Sequence, residues 1–281
     1  MGVSEAIAHV RARSFPEDGS DLTGLELEWL MLARVGDQAS PSQGEGSRLS
    51  EIVLPGGSAL SVEPGGQLEL SSQPHTGLTP LCSAVSADVG ALSDAVAAGG
   101  GLMLGIGLLP DESTCQRLST PRYDAMAEFF AAEGTAGSTM MTSTASLQVN
   151  IGTGTGNDRE TRWRRANMLG PVLAASFANS PLGAGIPTGC ASSRLKVWSA
   201  IDPSRTSSVW RPGQGCESWP AYVLGARVML IRRSGTEFLA VPGNLPFGRW
   251  LAEGHELGYP TLDDLDYHLT TLFPPVRPKG W

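Results

Sequence analysis

Four glutamates, placed on two short stretches, carry the chemistry of this chain. Leu25-Glu26-Leu27-Glu28-Trp29 alternates charge with apolar bulk, and Glu63-Pro64-Gly65-Gly66-Gln67-Leu68-Glu69-Leu70 does the same at its end. Successive side chains of an extended strand point to opposite faces. Glu26 and Glu28 therefore share one face, and Leu25, Leu27 and Trp29 the other. Pro64-Gly65-Gly66 forces a turn or bulge that lets the Glu63 and Glu69 carboxylates converge. Clustered carboxylates repel one another and are costly to bury unless cations neutralise them. Hard divalent ions such as Mg²⁺ do this through oxygen ligands, commonly while holding a nucleotide's phosphates.

The elements that must position these groups are legible in outline. Residues 36–50 are small and polar, which predicts an exposed loop between the two glutamate strands. The apolar run 101–109 predicts a buried strand. Residues 143–151 alternate strictly, with Thr144, Ser146, Gln148 and Asn150 on one face and Ala145, Leu147, Val149 and Ile151 on the other. That is a second polar-faced strand, uncharged and rich in hydrogen-bonding groups. A helix is expected from Thr120-Pro121, with a stripe of Tyr123, Met126, Phe129 and Phe130, to Gly134. A longer one is expected over about 157–178, with Trp163, Leu169, Val172, Leu173 and Phe177 inward and a bend at Pro171. A Gly- and Pro-rich loop then leads to Arg194. Further helices are expected over 220–232 and 246–252, and from a capping box at Thr261 to about Leu272. No regular β-α-β alternation occurs, so the pattern favours α+β with an antiparallel sheet.

Composition narrows the function. A net charge of −8 argues against a nucleic-acid surface, which needs a basic stripe. No apolar run was found to approach the ~20 residues that span a bilayer. The first twenty residues hold Glu5, Arg11, Arg13, Glu17 and Asp18 and no secretory core, so a cytoplasmic protein without membrane partners is expected. Cys82, Cys115, Cys190 and Cys216 are scattered and read as reduced thiols. Gly152-Thr-Gly-Thr-Gly156 and Gly99-Gly-Gly-Leu-Met-Leu-Gly105 lack the Gly-Lys-Ser/Thr ending of a phosphate loop. No Gly-x-Ser-x-Gly elbow is present, and His9, His75, His255 and His268 show no metal-ligand spacing. Taken alone, His268 reads as a packed histidine, and Arg122, Arg194 and Arg205 as ordinary charges.

Seven motifs then occur in order. They are Glu26-Leu-Glu28, Glu63-Pro-Gly-Gly-Gln-Leu-Glu-Leu-Ser71, Arg122-Tyr-Asp-Ala-Met126, Met140-Met-Thr-Ser-Thr-Ala-Ser-Leu-Gln-Val-Asn150, Phe177-Ala-Asn-Ser-Pro181, Asp202-Pro-Ser-Arg-Thr206 and His268-Leu-Thr-Thr-Leu-Phe-Pro-Pro-Val-Arg277. Across about residues 20–281 the chain resembles the glutamate–cysteine ligases of the plant and bacterial type, in the glutamine-synthetase-like superfamily. The resemblance is strongest to the actinobacterial branch that serves ergothioneine synthesis.

The resemblance implies a six-stranded, mainly antiparallel sheet curled into a funnel with helices outside. It implies ATP- and Mg²⁺-dependent joining of the glutamate side-chain carboxylate to the cysteine amine, giving γ-glutamylcysteine. By position, Glu28, Glu63 and Glu69 would hold one metal and Glu26 would contribute to another. Arg122 and Arg194 would pair with the substrate glutamate, near the polar groups Thr144, Ser146 and Gln148, with Gln148 standing where relatives often carry a metal-binding histidine. Arg205 and Arg277 would face the ATP phosphates as catalytic groups, with His268 beside the nucleotide. In the family the chain continues past Trp281 into a strand bearing Glu-x-Arg. Residues 1–281 are therefore expected to be one catalytic domain without its C-terminal part. Two alternatives stand beside this reading: a γ-glutamyl ligase with another amine acceptor, and a catalytically impaired fragment that only binds metal-nucleotide or a partner.

Overall fold

The computed structural model describes residues 1–35, 38–41, 49, 51–110, 118–211, 213–234, 236–241, 243–256 and 258–278. Cys115 lies outside them. Helix α1 (Val3–Ser14) precedes β1 (Thr23–Val35), β2 (Gln38–Pro41), β3 (Ala59–Val62) and β4 (Leu68–Ser71). The chain continues through α2 (Leu78–Ala98), β5 (Gly101–Leu104), α3 (Pro121–Ala131), α4 (Ala136–Ser143), β6 (Leu147–Ile151) and α5 (Asp158–Ser176). Then follow β7 (Leu182–Gly183), β8 (Ile186–Pro187), α6 (Ser193–Ser199), α7 (Pro203–Thr206), α8 (Ser218–Gly225), β9 (Leu230–Arg232), β10 (Phe238–Ala240), α9 (Phe247–Glu253) and α10 (Leu262–Thr270).

Strand β1 is the hub. Its 13 residues span about 40 Å at the usual rise, enough for two partners along each side. The first half pairs with β4 and β6, the second with β2 and β5, and β3 adds to β4. Every pairing is antiparallel, which bears out the α+β class. Helix α2 covers one face of the sheet: Leu81, Val85, Leu92 and Val96 recur at helical spacing and are buried. Leu92 and Val96 pack with Met31, Leu68 and Leu70. The fully buried Asp88 on the same helix accepts from the Gly56 and Ser58 amides and the Ser58 hydroxyl, pinning the turn before β3.

A second core joins α1, α8, α9 and α10 around Val10, Trp219, Val223, Phe247, Trp250 and Leu265. A third packs Met126, Phe129 and Phe130 of α3 against Met229 and Leu230. The Thr120 cap is made, with its hydroxyl accepting from the Tyr123 amide, and so is the Thr261–Asp264 capping box.

Several local expectations differ from the structure. Of the loop predicted over 36–50, residues 38–41 form β2, and 36–37, 42–48 and 50 lie outside the described residues. Alternation over 143–151 yields a strand only from Leu147, because Ala136–Ser143 closes as α4. Its apolar face is exposed, with Leu147, Val149 and Ile151 each more than half accessible. In α5 only Trp163 of the predicted inward set is buried; Leu169, Val172, Leu173 and Phe177 face outward. Residues 220–232 split into the end of α8 and strand β9. Helix α2 is also long and apolar enough by composition to cross a membrane, a run the sequence reading overlooked. Its small residues and two aspartates hid it, and Leu92 and Val96 set one face of it against the sheet.

Candidate active site

Register places the acidic groups on one face of the sheet. Glu28 lies directly across from Glu69, and Glu26 lies between Ser71 on β4 and Gln148 on β6. Directly opposed residues point to the same side, and like charges so placed destabilise a sheet. Ser61 and Ser71 relieve part of this by donating to the Glu69 carboxylate, at 3.1 and 3.4 Å. Asn150 donates to Glu26 at 3.2 Å. The Ser146 amide donates to Glu28 at 2.8 Å, while the Glu28 amide donates back to the Ser146 carbonyl at 2.9 Å.

The electrostatics isolate Glu28. Burial, reinforced by Glu63 and Glu69, pushes its carboxyl from 4.5 up to about 7, against the opposing pull of Arg194 and the Ser146 hydrogen bond. Arg194 sits on α6 within Glu28's field, and burial lowers its own pKa despite that partner. Its Nε is buried without a hydrogen-bond partner, as is the Nε of Arg122. The two guanidiniums lie over aromatic rings, Arg194 at 5.0 Å from Trp198 and Arg122 at 5.9 Å from Tyr267. Tyr123 also belongs to this neighbourhood: burial first, then Glu63, raises its phenol.

Of the residues expected at the site, the structure brings Glu28, Glu63, Glu69 and Arg194 together, and Glu26, Gln148 and Arg277 beside them. Arg277 donates to the Leu272 carbonyl at 2.7 Å, and its charge is coupled to Glu26. Thr144 is buried and occupied, donating to the Met140 carbonyl at 2.7 Å, so it holds the end of α4 instead of facing a substrate.

Arg205 and His268 are placed elsewhere. Arg205 is fully buried, ion-paired to Asp202 at 2.9 Å. It also donates to the Thr271 carbonyl at 2.7 Å and the Arg227 carbonyl at 2.6 Å, and lies over Phe129. A guanidinium so enclosed has no exposed surface for a phosphate, and its work here is to tie α7 to the end of α10. His268 stacks on Phe247 at 4.8 Å between ring centres, with Nε2 3.0 Å from the Val223 carbonyl. Burial, with Arg205 nearby, lowers its pKa from 6.5 to about 3, so it is a neutral core histidine that donates to Val223. Nucleotide contact is not open to it in this position.

The donor set fits a hard divalent cation. Carboxylates that raise one another's proton affinity are relieved when a cation takes the proton's place. Among the described residues no three acidic, histidine or cysteine side chains stand close enough to enclose an ion as placed.

Sequence reasoning passed over Gln67, Tyr123 and Ser61. Gln67 stood inside the second glutamate motif, and a polar side chain at the end of the Pro-Gly-Gly turn, directly before the buried Leu68, was the available signal.

Comparisons with known proteins identify the family. The model of glutamate–cysteine ligase family 2 (GCS2) matches residues 22–281. The chain is 39% identical over 290 residues to glutamate–cysteine ligase EgtA of Mycolicibacterium smegmatis, covering 99% of this chain and 67% of that protein. It is 39% identical over 277 residues to EgtA of Mycobacterium tuberculosis, covering 92% of this chain and 62% of that protein. The chloroplastic glutamate–cysteine ligase of Arabidopsis thaliana is 32% identical over 239 residues, 80% of this chain and 44% of that protein. The chain thus spans about two thirds of the length of the bacterial relatives.

Proposed function

Because the chain belongs to glutamate–cysteine ligase family 2, we propose that its acidic sheet face joins the side-chain carboxylate of glutamate to the amine of cysteine at the expense of ATP. The observation that carries the reading is the direct opposition of Glu28 and Glu69 with Glu63 and Arg194 in the same field. The bacterial relatives are glutamate–cysteine ligases, which supports cysteine as acceptor and γ-glutamylcysteine as product. In this reading residues 1–281 act as a single catalytic unit in the cytoplasm. The sheet around β1 forms one wall of the family's glutamine-synthetase-like funnel, and the substrates are small molecules, not nucleic acid or membrane.

A carboxylate does not acylate an amine at neutral pH, because oxide is too poor a leaving group. Attack of the γ-carboxylate on the γ-phosphorus of ATP releases ADP and gives an acyl phosphate. The cysteine amine then displaces phosphate from the acyl carbon and loses a proton. Glu28, Glu63 and Glu69 would hold Mg²⁺, with Glu26 and Gln148 toward a second ion. Mg²⁺ bound there supplies charge shielding on the ATP oxygens. Arg194 and Arg122, each with an unpaired buried Nε, are suited to grip the substrate glutamate's α-carboxylate, a two-bond task for a planar guanidinium. Arg277, whose charge is coupled to Glu26, would meet a phosphate in this reading.

The test is phosphate release and product mass with glutamate, Mg-ATP and a panel of amines. Glutamate- and cysteine-dependent formation of γ-glutamylcysteine supports the reading, and preference for another amine changes the acceptor. A second reading is a polypeptide that binds metal-nucleotide without turnover. Nucleotide binding with no phosphate release would select it.

A further inference from the structure

We propose that Gln67 is a positioning residue that locks the three segments bearing Glu63, Glu69 and Glu28 into one register. The inference rests on the ligase reading for its chemistry but on hydrogen bonds alone for its mechanics. Gln67 is only 3% exposed. Its Oε1 accepts from the Gly65 amide at 2.8 Å, inside the turn that separates Glu63 from Glu69. Its Nε2 donates to the Thr144 carbonyl at 2.9 Å and the Met141 carbonyl at 3.3 Å. Those two carbonyls close the end of α4, where a helix leaves its last acceptors without internal partners. One amide therefore satisfies a turn donor on one side and helix-terminal acceptors on the other.

The backbone around it is closed to match. The Glu63 amide donates to the Gln67 carbonyl and the Gly66 amide to the Glu63 carbonyl, each at 2.8 Å. Gly65 lies flat against Thr142, and a Cβ there would sit 2.4 Å from the Thr142 oxygen. Two residues beyond Thr144 is Ser146, whose amide holds the Glu28 carboxylate. Displacing the end of α4 thus moves the group that aims Glu28, although Gln67 touches neither Ser146 nor Glu28. Mutual repulsion of the three carboxylates favours their separation, and this brace opposes it. An unmet buried amide partner on either side is itself costly, so the brace is held by both ends.

The test compares the 281-residue chain with Gln67→Met, which keeps shape and removes both kinds of hydrogen bond, and with Gly65→Ala, which disturbs the same contact from the turn side. Gly65 is not at positive φ, so alanine there acts through its clash with the Thr142 backbone, which must shift. Amide hydrogen exchange is read first. At least tenfold faster exchange at Ser146 is expected in both variants, a change that a purely local role at Gly65 would not produce. Mn²⁺ titration followed by loss of the free-ion paramagnetic signal is read second, with at least tenfold weaker binding expected at unchanged stoichiometry. If Gln67→Met does not fold, Gln67→Glu, which keeps the acceptor for the Gly65 amide and loses only the two donations to α4, decides. Unchanged exchange at Ser146 in a folded variant overturns the positioning role. Glu69→Gln is the separate control: wild-type Mn²⁺ affinity there sinks the metal reading, while the exchange result still judges Gln67.

Discussion

Replacing Glu28 by glutamine should stabilise the metal-free protein above neutral pH, although it removes a proposed metal ligand. In the folded chain the carboxyl titrates at about 7 instead of 4.5. A carboxyl raised on folding means the native state binds more protons than the unfolded state between those two values. Stability therefore falls as pH rises from 4.5 through 7, and the loss is complete above 7. At 1.36 kcal/mol per pH unit the loss is roughly 3 kcal/mol. Glutamine carries no charge and still accepts from the Ser146 amide, so the variant should lack this slope. The assay is urea unfolding followed by tryptophan fluorescence, in chelator, from pH 5 to pH 8. The two proteins should be close at pH 5, and the variant ahead by about 2–3 kcal/mol at pH 8. Millimolar Mg²⁺ at pH 8 should close most of that gap by stabilising the wild type alone. Parallel pH profiles, or a variant weaker at pH 8, would refute the crowded-carboxylate argument.

Three further outcomes are expected. Arg205→Met should cost about 3 kcal/mol in urea unfolding, because the buried Asp202 keeps only Arg227, at 3.9 Å, as a counter-charge, whereas a loss of turnover with undiminished stability would restore a phosphate role. The native state withholds a proton from His268 that the unfolded chain takes up below 6.5, so stability should fall by up to about 1.4 kcal/mol per pH unit below that point; His268→Gln, which keeps a donor for Val223, should flatten this limb, and an unchanged limb would contradict the neutral assignment. Arg194→Lys should raise the KM for glutamate at least tenfold more than that for ATP, since lysine cannot make the planar two-bond contact; equal effects on both would place Arg194 at the phosphates.

The sheet face was legible because alternation is a local signal. Glu26, Glu28 and Glu69 announce their side of the strand from their immediate neighbours, and the register of β1 with β4 confirms it. The caps at Thr120 and Thr261 were legible for the same reason. What local pattern could not show was which partner an apolar face would meet. Leu169, Val172 and Phe177 look inward by spacing, yet the helix carrying them extends past the core that receives Trp163. Arg205 illustrates the converse. Its type suits a phosphate, but beside the neighbouring Asp202 two residues distant in sequence enclose it, and only the fold brings Thr271 and Arg227 to it. The same holds for Gln67, whose two carbonyl acceptors lie more than seventy residues away.

The central place of β1 also has a consequence for the order of synthesis. Glu26 meets Asn150, a partner 124 residues later in the chain. At about 5–20 residues per second, roughly 6–25 s pass on the ribosome before β6 exists to cover that side of β1. For that interval a long apolar strand waits with an unpaired edge, the state most prone to pairing with a neighbouring chain. The glutamates spaced along it carry the charge that keeps such strands apart. The side chains proposed to hold the metal in the finished protein thus guard the strand while it is still alone.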